Sequence, residues 1–590
     1  MSIRKHVQWN GKENVGFVDL GTGIDDDSIP VATEALMFIV VPLNAAWKLP
    51  VAYFLIDGLA ADVKSNLVLE AINRLHAVNV RIVALICDGP TTNFAVGSKL
   101  GASFDVENMK SFFVHPANSF WKVHIIFDAA HMLKLMRNIL AEKGILTDQD
   151  NNQIRWQHIK DLQLQDREGL KAANKLKRSH VEWYQQKMKV SLAAQCMSRS
   201  VANALEFLGQ DLHLSKFTDV APTVAFIRVI DRLFDTLNSK NKFEKEFKSV
   251  LRCENERFWR PFLMQTAAYL SNLKLFGVPL HQTMRKTAVI GFLATINSVI
   301  GLFDDFVSTK IVPYLATYRL SQDHIELLFN VVRSRGRWNN NPTAGQFRMA
   351  YRQLLMKHSI TPNKAGNVIS QEETVLLSSV GLVERRETSV TTAEILKRFG
   401  LGQSDGSIDH DYALTPDRIH ISEFSANIVT YMAGYVSRKL CKTITCVGCK
   451  LALISNTKVV ENCKLIQRKD AGGLLYPSQS VVDVCTVTER CIRFVCGNSS
   501  DSIPKQRNLH LALQIAVLER IQLSNLFLET SDDHSCVVDV FESHVLNLVR
   551  LITNAYMNIR FYSVGKIFSD KLRGKNIRFN SNKNVLFAHQ

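Results

Sequence analysis

Short apolar runs, each ended by Gly, Pro or Asp, dominate the first 140 residues and predict strands. A helical stripe of apolar residues covers Ala60–Val78 and predicts one helix among them. The predicted strands are Val15–Leu20, Ala35–Leu43, Val51–Ile56, Arg81–Cys87 and Lys122–Phe127. Strands, then a helix, then two more strands predict a mixed sheet flanked by helices, which is an α/β domain.

Helical periodicity replaces the strand-like runs after residue 140. Long helices are predicted over Arg167–Leu208 and Pro222–Leu237, and shorter ones over Ser321–Arg333 and Gly345–Lys357. A further helix is predicted to begin at Asp128 and continue to Asn138. These changes divide the chain into an α/β part at 1–140, a mainly α-helical insertion at 141–305, a second α/β part at 306–358, a linker at 359–420 rich in Ser, Thr, Gly and acids, an α-rich cysteine-containing domain at 421–535, and a C-terminal helix with a basic tail at 536–590.

The composition indicates the charge of the partner and the cellular location of the protein. Apolar residues make up 46% of the 590 and charged residues 21%, so most of the chain is expected to fold. The formal net charge of +16 favours a polyanionic partner, of which nucleic acid is the commonest. The 11 cysteines suit reduced thiols better than a disulfide framework. We find no signal peptide and no apolar run of about 18 residues, so we expect a soluble intracellular protein without a membrane partner.

Two acids follow predicted strands directly. Asp88 ends the strand Arg81–Cys87, and in open α/β sheets ligands bind at that end of the strands. Asp-Gly-Pro is also good turn chemistry, so a purely structural role stays open. Asp128 ends the next strand and shares a helix face with His131, which makes both candidate metal ligands. The alternative is that Asp128 is only the N-cap of its helix.

A third acid, Glu326, lies on the predicted helix Ser321–Arg333 and shares a face with Asp323. Three arginines follow it, at 333, 335 and 337, and could hold a phosphate backbone near a bound metal. The alternative is an ordinary amphipathic helix with surface charges. Phosphodiester chemistry uses two divalent ions about 3.5–4 Å apart, and Mg²⁺ (or Mn²⁺) needs only a few carboxylate ligands.

Several motifs resemble those of the P-element transposase family, which includes vertebrate proteins with a THAP zinc finger. They occur in the same order over residues 1 to about 500. The motifs are Trp47–Phe54, Cys87-Asp-Gly, Asp128–Asn138, Gln322–Glu326, Arg333–Pro342, Tyr431–Tyr435 and Gly472–Pro477.

The resemblance implies a ribonuclease H-like catalytic domain interrupted by a helical insertion, acting in the nucleus in DNA transposition. It implies that Asp88 is the second catalytic acid and Glu326 the last. The first belongs to an Asp-Glu-Met motif that would fall just before Met1, and Asp19 is the nearest strand-borne candidate in this sequence. The family's THAP finger is not seen in this sequence.

Transposon ends and target DNA are the implied partners, together with further copies of the chain. The insertion binds GTP in the P element. This sequence contains no G-x-x-x-x-G-K-[ST] motif, so no residue is assigned to the nucleotide. Two functions stay open: an active transposase, or a domesticated and catalytically impaired relative that binds DNA or a protein.

The cysteines of the C-terminal part allow a zinc site. Cys446 and Cys449 have the spacing of a zinc knuckle, and Cys441 or Cys463 could complete it. The alternative is a set of buried or free thiols in a helical domain.

Overall fold

A computed structural model describes most of the chain, as two compact units. The residues left out of the description are 10–13, 22–28, 46, 90, 166–171, 174, 245, 336–340, 357–415, 456, 458–460, 497–508, 528–544 and 563–590. Nearly all of the predicted linker, the predicted basic tail and Arg337 therefore lie outside it. The first unit comprises Met1–Gln157, Lys177–Ala202 and Ala221–Leu377, and the second comprises His158–Leu176, Asn203–Val220 and Ser378–Gln590. The domain boundaries at 140, 305, 358, 420 and 535 stay predictions.

The strands belong to the first unit and are short. They are β1 (Gln8–Trp9), β2 (Asn14–Val15), β3 (Glu34–Val40), β4 (Leu49–Ile56), β5 (Ala84–Cys87), β6 (Phe112–His115), β7 (Asn118–Phe127), β8 (Ile145–Thr147), β9 (Gln153–Arg155), β10 (Lys274–Leu275) and β11 (Val278–Pro279). β5 pairs with β7 in parallel and β6 pairs with β7 antiparallel, in the order β5-β7-β6. β3 and β4 form an antiparallel pair, and β8 to β11 form a second small sheet.

Helices make up most of the rest. They are α1 (Ala61–Ala77), α2 (Thr91–Leu100), α3 (Ala129–Lys143), α4 (Trp156–Gln165), α5 (Arg178–Val181), α6 (Val190–Cys196), α7 (Arg199–Glu206), α8 (Ala221–Leu237), α9 (Glu256–Ser271), α10 (Thr287–Leu302), α11 (Asp323–Arg335), α12 (Ala344–Met356), α13 (Glu423–Leu440), α14 (Val447–Ala452), α15 (Lys464–Lys469), α16 (Gln479–Cys496), α17 (Leu509–Arg520) and α18 (545–562).

The β3–β4 pair packs against α11 and α12. Its alternating apolar positions place Ala35, Met37 and Leu55 on one buried face, where they meet Leu328 and Phe347 from the two helices. The first residues of the chain extend this pair, because Met1 and Ala35 exchange two backbone hydrogen bonds of 2.8 Å. The helix that carries Glu326 is thus fixed against the sheet by its opposite, apolar face.

α10 covers the central strand β7 and is buried along nearly its whole length. Its small polar residues complete the hydrogen bonding there. The Thr295 hydroxyl accepts from the Phe127 N–H at 3.0 Å and donates to the Phe127 carbonyl at 2.9 Å, while the Ser298 hydroxyl donates to the Ile125 carbonyl at 2.6 Å. Buried polar groups are costly unless paired, so these contacts fix α10 against the strand whose end leads to Asp128.

This helix also changes one sequence expectation. Thr287–Ser308 spans 22 residues and contains an 18-residue window with a mean hydropathy of 1.6, so it is long and apolar enough to cross a membrane by length and composition alone. Thr295, Asn297 and Ser298 interrupt the apolar run, so the sequence shows no uninterrupted apolar stretch of this length. In the structure 72% of its apolar window is buried inside the protein, as in a core helix.

The named secondary-structure elements in the described part of the second unit are all helices. Arg468, at the end of α15, forms ion pairs with Asp211 at 2.9 Å and Glu206 at 3.1 Å. The Asn203 side chain donates to the Arg468 carbonyl at 2.7 Å. These contacts explain why residues 203–220, predicted to lie in the insertion, group with the C-terminal helices.

Most of the predicted elements are confirmed, with two corrections. The long helical stretch expected over Arg167–Leu208 is interrupted: the described part holds α5, α6 and α7, with bends between them. Apolar residues at helical spacing cannot show where tertiary contacts break a helix. The strand expected over Val15–Leu20 is reduced to the last residue of β2 and isolated bridges at Phe17 and Asp19.

Candidate active site

Asp88 follows the last residue of β5, and two helices fix its carboxylate. The Asn93 amide, in the first turn of α2, donates to Asp88 Oδ1 at 2.6 Å and to the Asp88 carbonyl at 3.1 Å. Lys64 of α1 donates to the Asn93 side-chain oxygen at 2.6 Å. Asn93 is buried, so this chain of hydrogen bonds holds Asp88 in one orientation at the strand end.

Gly89 allows the strand end to approach α3 closely. A Cβ at this position would lie 2.4 Å from the Met132 methyl carbon and 3.3 Å from the His131 ring. Any larger residue would have to displace the Met132 methyl group. Glycine therefore suits this position because it packs closely against α3 as well as because it favours a turn after Asp88.

Asp128 connects three elements through its backbone and side chain. Its N–H donates to the Cys87 carbonyl at 2.9 Å, its Oδ2 accepts from the His131 N–H at 3.0 Å, and its Oδ1 accepts from the Gln322 N–H at 3.4 Å. It is only 4% exposed. The N-cap alternative for Asp128 is thus confirmed, and the same side chain also reaches the start of α11.

Glu326 and Asp323 lie in the first turn of α11, on the side facing these strand ends. Burial raises the pKa of Glu326, and the Asp128 and Asp88 carboxylates raise it further against the opposing charges of Lys134 and Arg333. Burial, Asp128 and Glu326 together raise the pKa of Asp323 to about 7. Asp88 and Glu326, far apart in sequence, are therefore electrostatic neighbours.

A lysine and a histidine of α3 complete this group. Lys134 is only 5% exposed, and its positive charge opposes the pKa rise of Asp128, Asp323 and Glu326. Burial and then Lys134 lower the pKa of His131, while Asp88 and Asp128 oppose that change. We call Asp88, Asp128, Asp323, Glu326, His131 and Lys134 the acid cluster.

The β3–β4 pair separates Asp19 from Met1. Asp19 pairs with Leu55, which pairs with Ala35, which pairs with Met1. Three inter-strand spacings separate Asp19 from Met1, or about 14 Å. Its Oδ1 accepts from the Gly21 N–H at 2.9 Å, as in a turn.

Met1 itself lies beside the acid cluster. Burial lowers the pKa of its ammonium group, and the carboxylates of Glu34 and Asp88 oppose that change.

The acids do not form a preassembled cage. Within the described part of the chain, no group of three or more His, Cys, Asp or Glu side chains converges closely enough to hold an ion. The cysteines of the C-terminal part are included in this result. The Cys441 thiol donates to the Lys450 carbonyl at 3.9 Å, and the Cys446 sulfur accepts from the Cys449 N–H at 3.5 Å. The predicted zinc site at Cys446 and Cys449 is therefore not assembled in this structure.

Sequence reasoning missed three of the side chains that shape this site: Lys64, Asn93 and Lys134. One signal was available. Lys134 lies among apolar residues on the buried stripe of α3, and a lysine is seldom buried without an anionic neighbour.

Comparisons with known proteins agree with this geometry. Four family profiles match the chain in order: "TNP-like, RNase H N-terminal domain" at 1–101, "TNP-like, GTP-binding insertion domain" at 130–250, "TNP-like, RNase H C-terminal domain" at 318–352, and "DNA transposase THAP9, C-terminal domain" at 420–566. The first profile ends after Asp88, and the third contains Glu326.

Two curated relatives are similar over long stretches. The human DNA transposase THAP9 is 27% identical over 588 residues, covering 96% of this chain and 63% of the relative. The Drosophila melanogaster transposable element P transposase is 25% identical over 459 residues, covering 75% of this chain and 54% of the relative. The chain thus spans under two thirds of the length of either protein.

A solved structure shows the same fold. The Drosophila P element transposase strand transfer complex matches with a TM-score of 0.50 at 22% identity, over 60% of this chain and 75% of that one. The fold is therefore ribonuclease H-like with an insertion. With the profiles in their order and the relatives over most of its length, the chain belongs to the P-element-like transposase family.

Proposed function

We propose that this chain is the catalytic region of a DNA transposase that cleaves DNA and transfers strands, with Asp88 and Glu326 holding Mg²⁺ or Mn²⁺. The supporting observation is the electrostatic coupling of these two acids. One lies at the end of β5 and the other in the first turn of α11, and Asp88 contributes to the raised pKa of Glu326. Carboxylates left partly uncompensated in a polar cleft are frequent functional groups.

The donor chemistry fits a hard divalent ion. Carboxylate oxygens are the ligands Mg²⁺ prefers, and one or two of them suffice when a substrate phosphate supplies the rest. Such an ion, once bound, would lower the pKa of water and neutralise charge on the phosphate. The raised pKa values of Glu326 and Asp323 report negative charge that a cation would offset.

The protein side chains would orient these groups. Asn93 and Lys64 hold the Asp88 carboxylate, and Asp128 ties the starts of α3 and α11 together. Both carboxylate oxygens of Asp128 accept backbone N–H groups. We therefore propose Asp128 as a positioning residue, with His131 as its neighbour on α3, and leave Asp19 outside the site because of its distance.

The remaining assignments follow the family resemblance. We propose transposon-end and target DNA as partners, self-association of the chain, action in the nucleus, and guanine-nucleotide binding within residues 130–250. We also propose residues 1–140 and 306–358 as the two parts of the catalytic domain and 141–305 as its insertion. Light scattering would test self-association, localisation of a tagged chain would test action in the nucleus, and stabilisation by GTP would test nucleotide binding.

The test is divalent-metal-dependent cleavage of a DNA substrate by the full chain. Glu326→Gln and Asp88→Asn should each lower the rate about 100-fold or more, because each removes several kcal/mol of charge stabilisation. Glu70→Gln is the matched control, since this exposed acid of α1 pairs only with surface Arg74 among the contacts seen. Cleavage untouched by Glu326→Gln would reject the site.

The domesticated, catalytically impaired alternative predicts a different result. DNA binding without cleavage, in Mg²⁺ and in Mn²⁺, would favour it. If an N-terminal extension supplying Asp-Glu then restored cleavage, the acids proposed here would be sound but incomplete.

A further inference from the structure

Two segments of the first unit are locked together near the start of α11. The Thr317 hydroxyl donates to the Thr236 carbonyl at 2.6 Å and accepts from the Ser239 N–H at 2.9 Å, and the Tyr318 N–H donates to the Ser239 carbonyl at 3.1 Å. Ser239 and Thr317 are buried. The loop after α8 and the segment before α11 therefore form one fixed surface.

Cations and aromatic rings alternate along that surface. Lys242 Nζ lies 4.2 Å from the centre of the Tyr314 ring, and Lys240 Nζ lies 5.4 Å from that of Tyr318. The Arg319 guanidinium carbon lies 5.6 Å from the same Tyr318 ring. These distances are within the range of cation–π contacts, so the aromatic rings restrict the positions of the three positive charges.

The surface continues to the helix that carries the acids. Arg319 donates to the Pro42 carbonyl at 2.9 Å, which fixes the segment leading to Lys48. The Tyr318 ring lies edge-on to the ring of the buried His324 of α11, with 6.0 Å between the two ring centres. Lys48 lies near enough to Asp323 of the same helix for its positive charge to oppose the raised pKa of that acid.

The outer end of the surface is an exposed ring. Phe243 follows Lys242 and is 90% exposed. An exposed phenylalanine beside a row of cations offers a flat face on which a base can stack. We call Lys48, Arg319, Tyr318, Lys240, Lys242 and Phe243 the basic strip.

We propose that the basic strip binds an unpaired DNA strand and leads it to the acid cluster. Single-strand sites combine cations that follow the phosphates with aromatic faces on which bases stack, and this strip has both. A paired duplex hides its bases from Phe243, so the unpaired strand is the better fit. The choice of DNA rests on the proposed function; the strip itself does not depend on catalysis.

The test is binding of a fluorescent single-stranded oligonucleotide and of its duplex to the full chain, by anisotropy in EDTA so that cleavage plays no part. We expect the single strand to bind more tightly. Lys240→Glu/Lys242→Glu should weaken it at least about tenfold and reduce the salt slope by about 1.4, the value for two lost single-strand phosphate contacts. Phe243→Ala should weaken it at least about fivefold.

The matched control is Lys99→Glu/Lys274→Glu. It makes the same charge change at an exposed lysine of α2 and at a half-buried lysine of β10. Thermal melting of each variant checks folding. The proposal is overturned if the control weakens binding as much as the strip variant, if the strip variant leaves single-strand binding unchanged, or if the duplex binds more tightly and Phe243→Ala has no effect. If the wild-type chain does not cleave DNA but binds the single strand through the basic strip, the result counts against the proposed function alone.

Discussion

Two groups of buried carboxylates, one in each unit, have opposite electrostatics. In the second unit, Glu489 of α16 is fully buried, yet its pKa is lowered: burial alone would raise it, but Arg560 and Arg493 outweigh burial. Arg560 of α18 donates to both Glu489 oxygens, at 2.7 and 2.8 Å, and Tyr556 donates at 2.9 Å. In the acid cluster, burial raises the pKa values of Asp128, Asp323 and Glu326, and neighbouring acids raise those of Asp323 and Glu326 further.

The difference in charge compensation distinguishes a structural carboxylate from a group of carboxylates suited to binding a cation. Glu489 has all the positive charge it needs from the chain itself, so its role is to join α16 and α18. The acid cluster has one buried lysine for several carboxylates and gains most from a cation supplied from outside. Where a protein leaves negative charge uncompensated, a bound ion or a proton is the usual partner.

The largest expected effect tests the compensated region. Arg560→Met leaves Glu489 buried with one partner fewer and should lower the free energy of unfolding by about 3–5 kcal/mol. Urea denaturation followed by circular dichroism measures it. The control is Arg74→Met, which breaks an exposed Arg–Glu pair with an expected cost of about 0–1 kcal/mol. Equal urea midpoints for Arg560→Met and Arg74→Met would contradict the claim that the buried Glu489 depends on its arginine partners for stability.

A smaller effect is expected at the link between β5, α3 and α11. Asp128→Ala removes an N-cap and should cost about 1–2 kcal/mol, whereas Asp128→Asn keeps a capping oxygen, discards an uncompensated charge and should be nearly neutral in stability. Both variants should lower cleavage, because Asn accepts only one of the two N–H groups. The same denaturation experiment, run beside cleavage assays, checks this. A stable Asp128→Asn protein with normal cleavage would contradict the positioning role.

The smallest effect concerns pH. The folded pKa of Asp323, about 7, lies above its unfolded value, so the folded state binds the extra proton and stability falls as pH rises from about 4 to 7. Asp323→Asn should therefore raise the melting temperature at pH 8 by about 1–3 °C and leave it unchanged at pH 4. Scanning calorimetry at both pH values measures this. An equal shift at both would mean that packing rather than charge is responsible.

Much of the acid cluster could be predicted from the sequence, because its main acids stand at element ends. Apolar runs place Asp88 and Asp128 after strands, and helical spacing puts Asp323 and Glu326 on one face. What periodicity cannot give is charge balance between distant residues. Glu489 and Arg560 were not singled out, and neither was the link from Asp128 to Gln322, because each depends on how helices far apart in sequence pack.

The same limit explains Asp19. It resembles Asp88 in sequence, as an acid in a short apolar run, and only the register through Leu55 and Ala35 shows that it lies about 14 Å from the start of the chain. Strand order in a sheet is set by tertiary pairing, which one sequence does not reveal. The broken helix within Arg167–Leu208 has the same origin.

The central claim is that Asp88 and Glu326 act together as the ligands of one divalent ion. Titration of the full chain with Mn²⁺, followed by electron paramagnetic resonance, tests it without requiring cleavage. We predict that Asp88→Asn and Glu326→Gln each weaken one Mn²⁺ site at least about tenfold, that the double variant is little weaker than either, and that Glu489→Gln has no effect. Equal Mn²⁺ affinity in the wild type and the double variant would contradict the account.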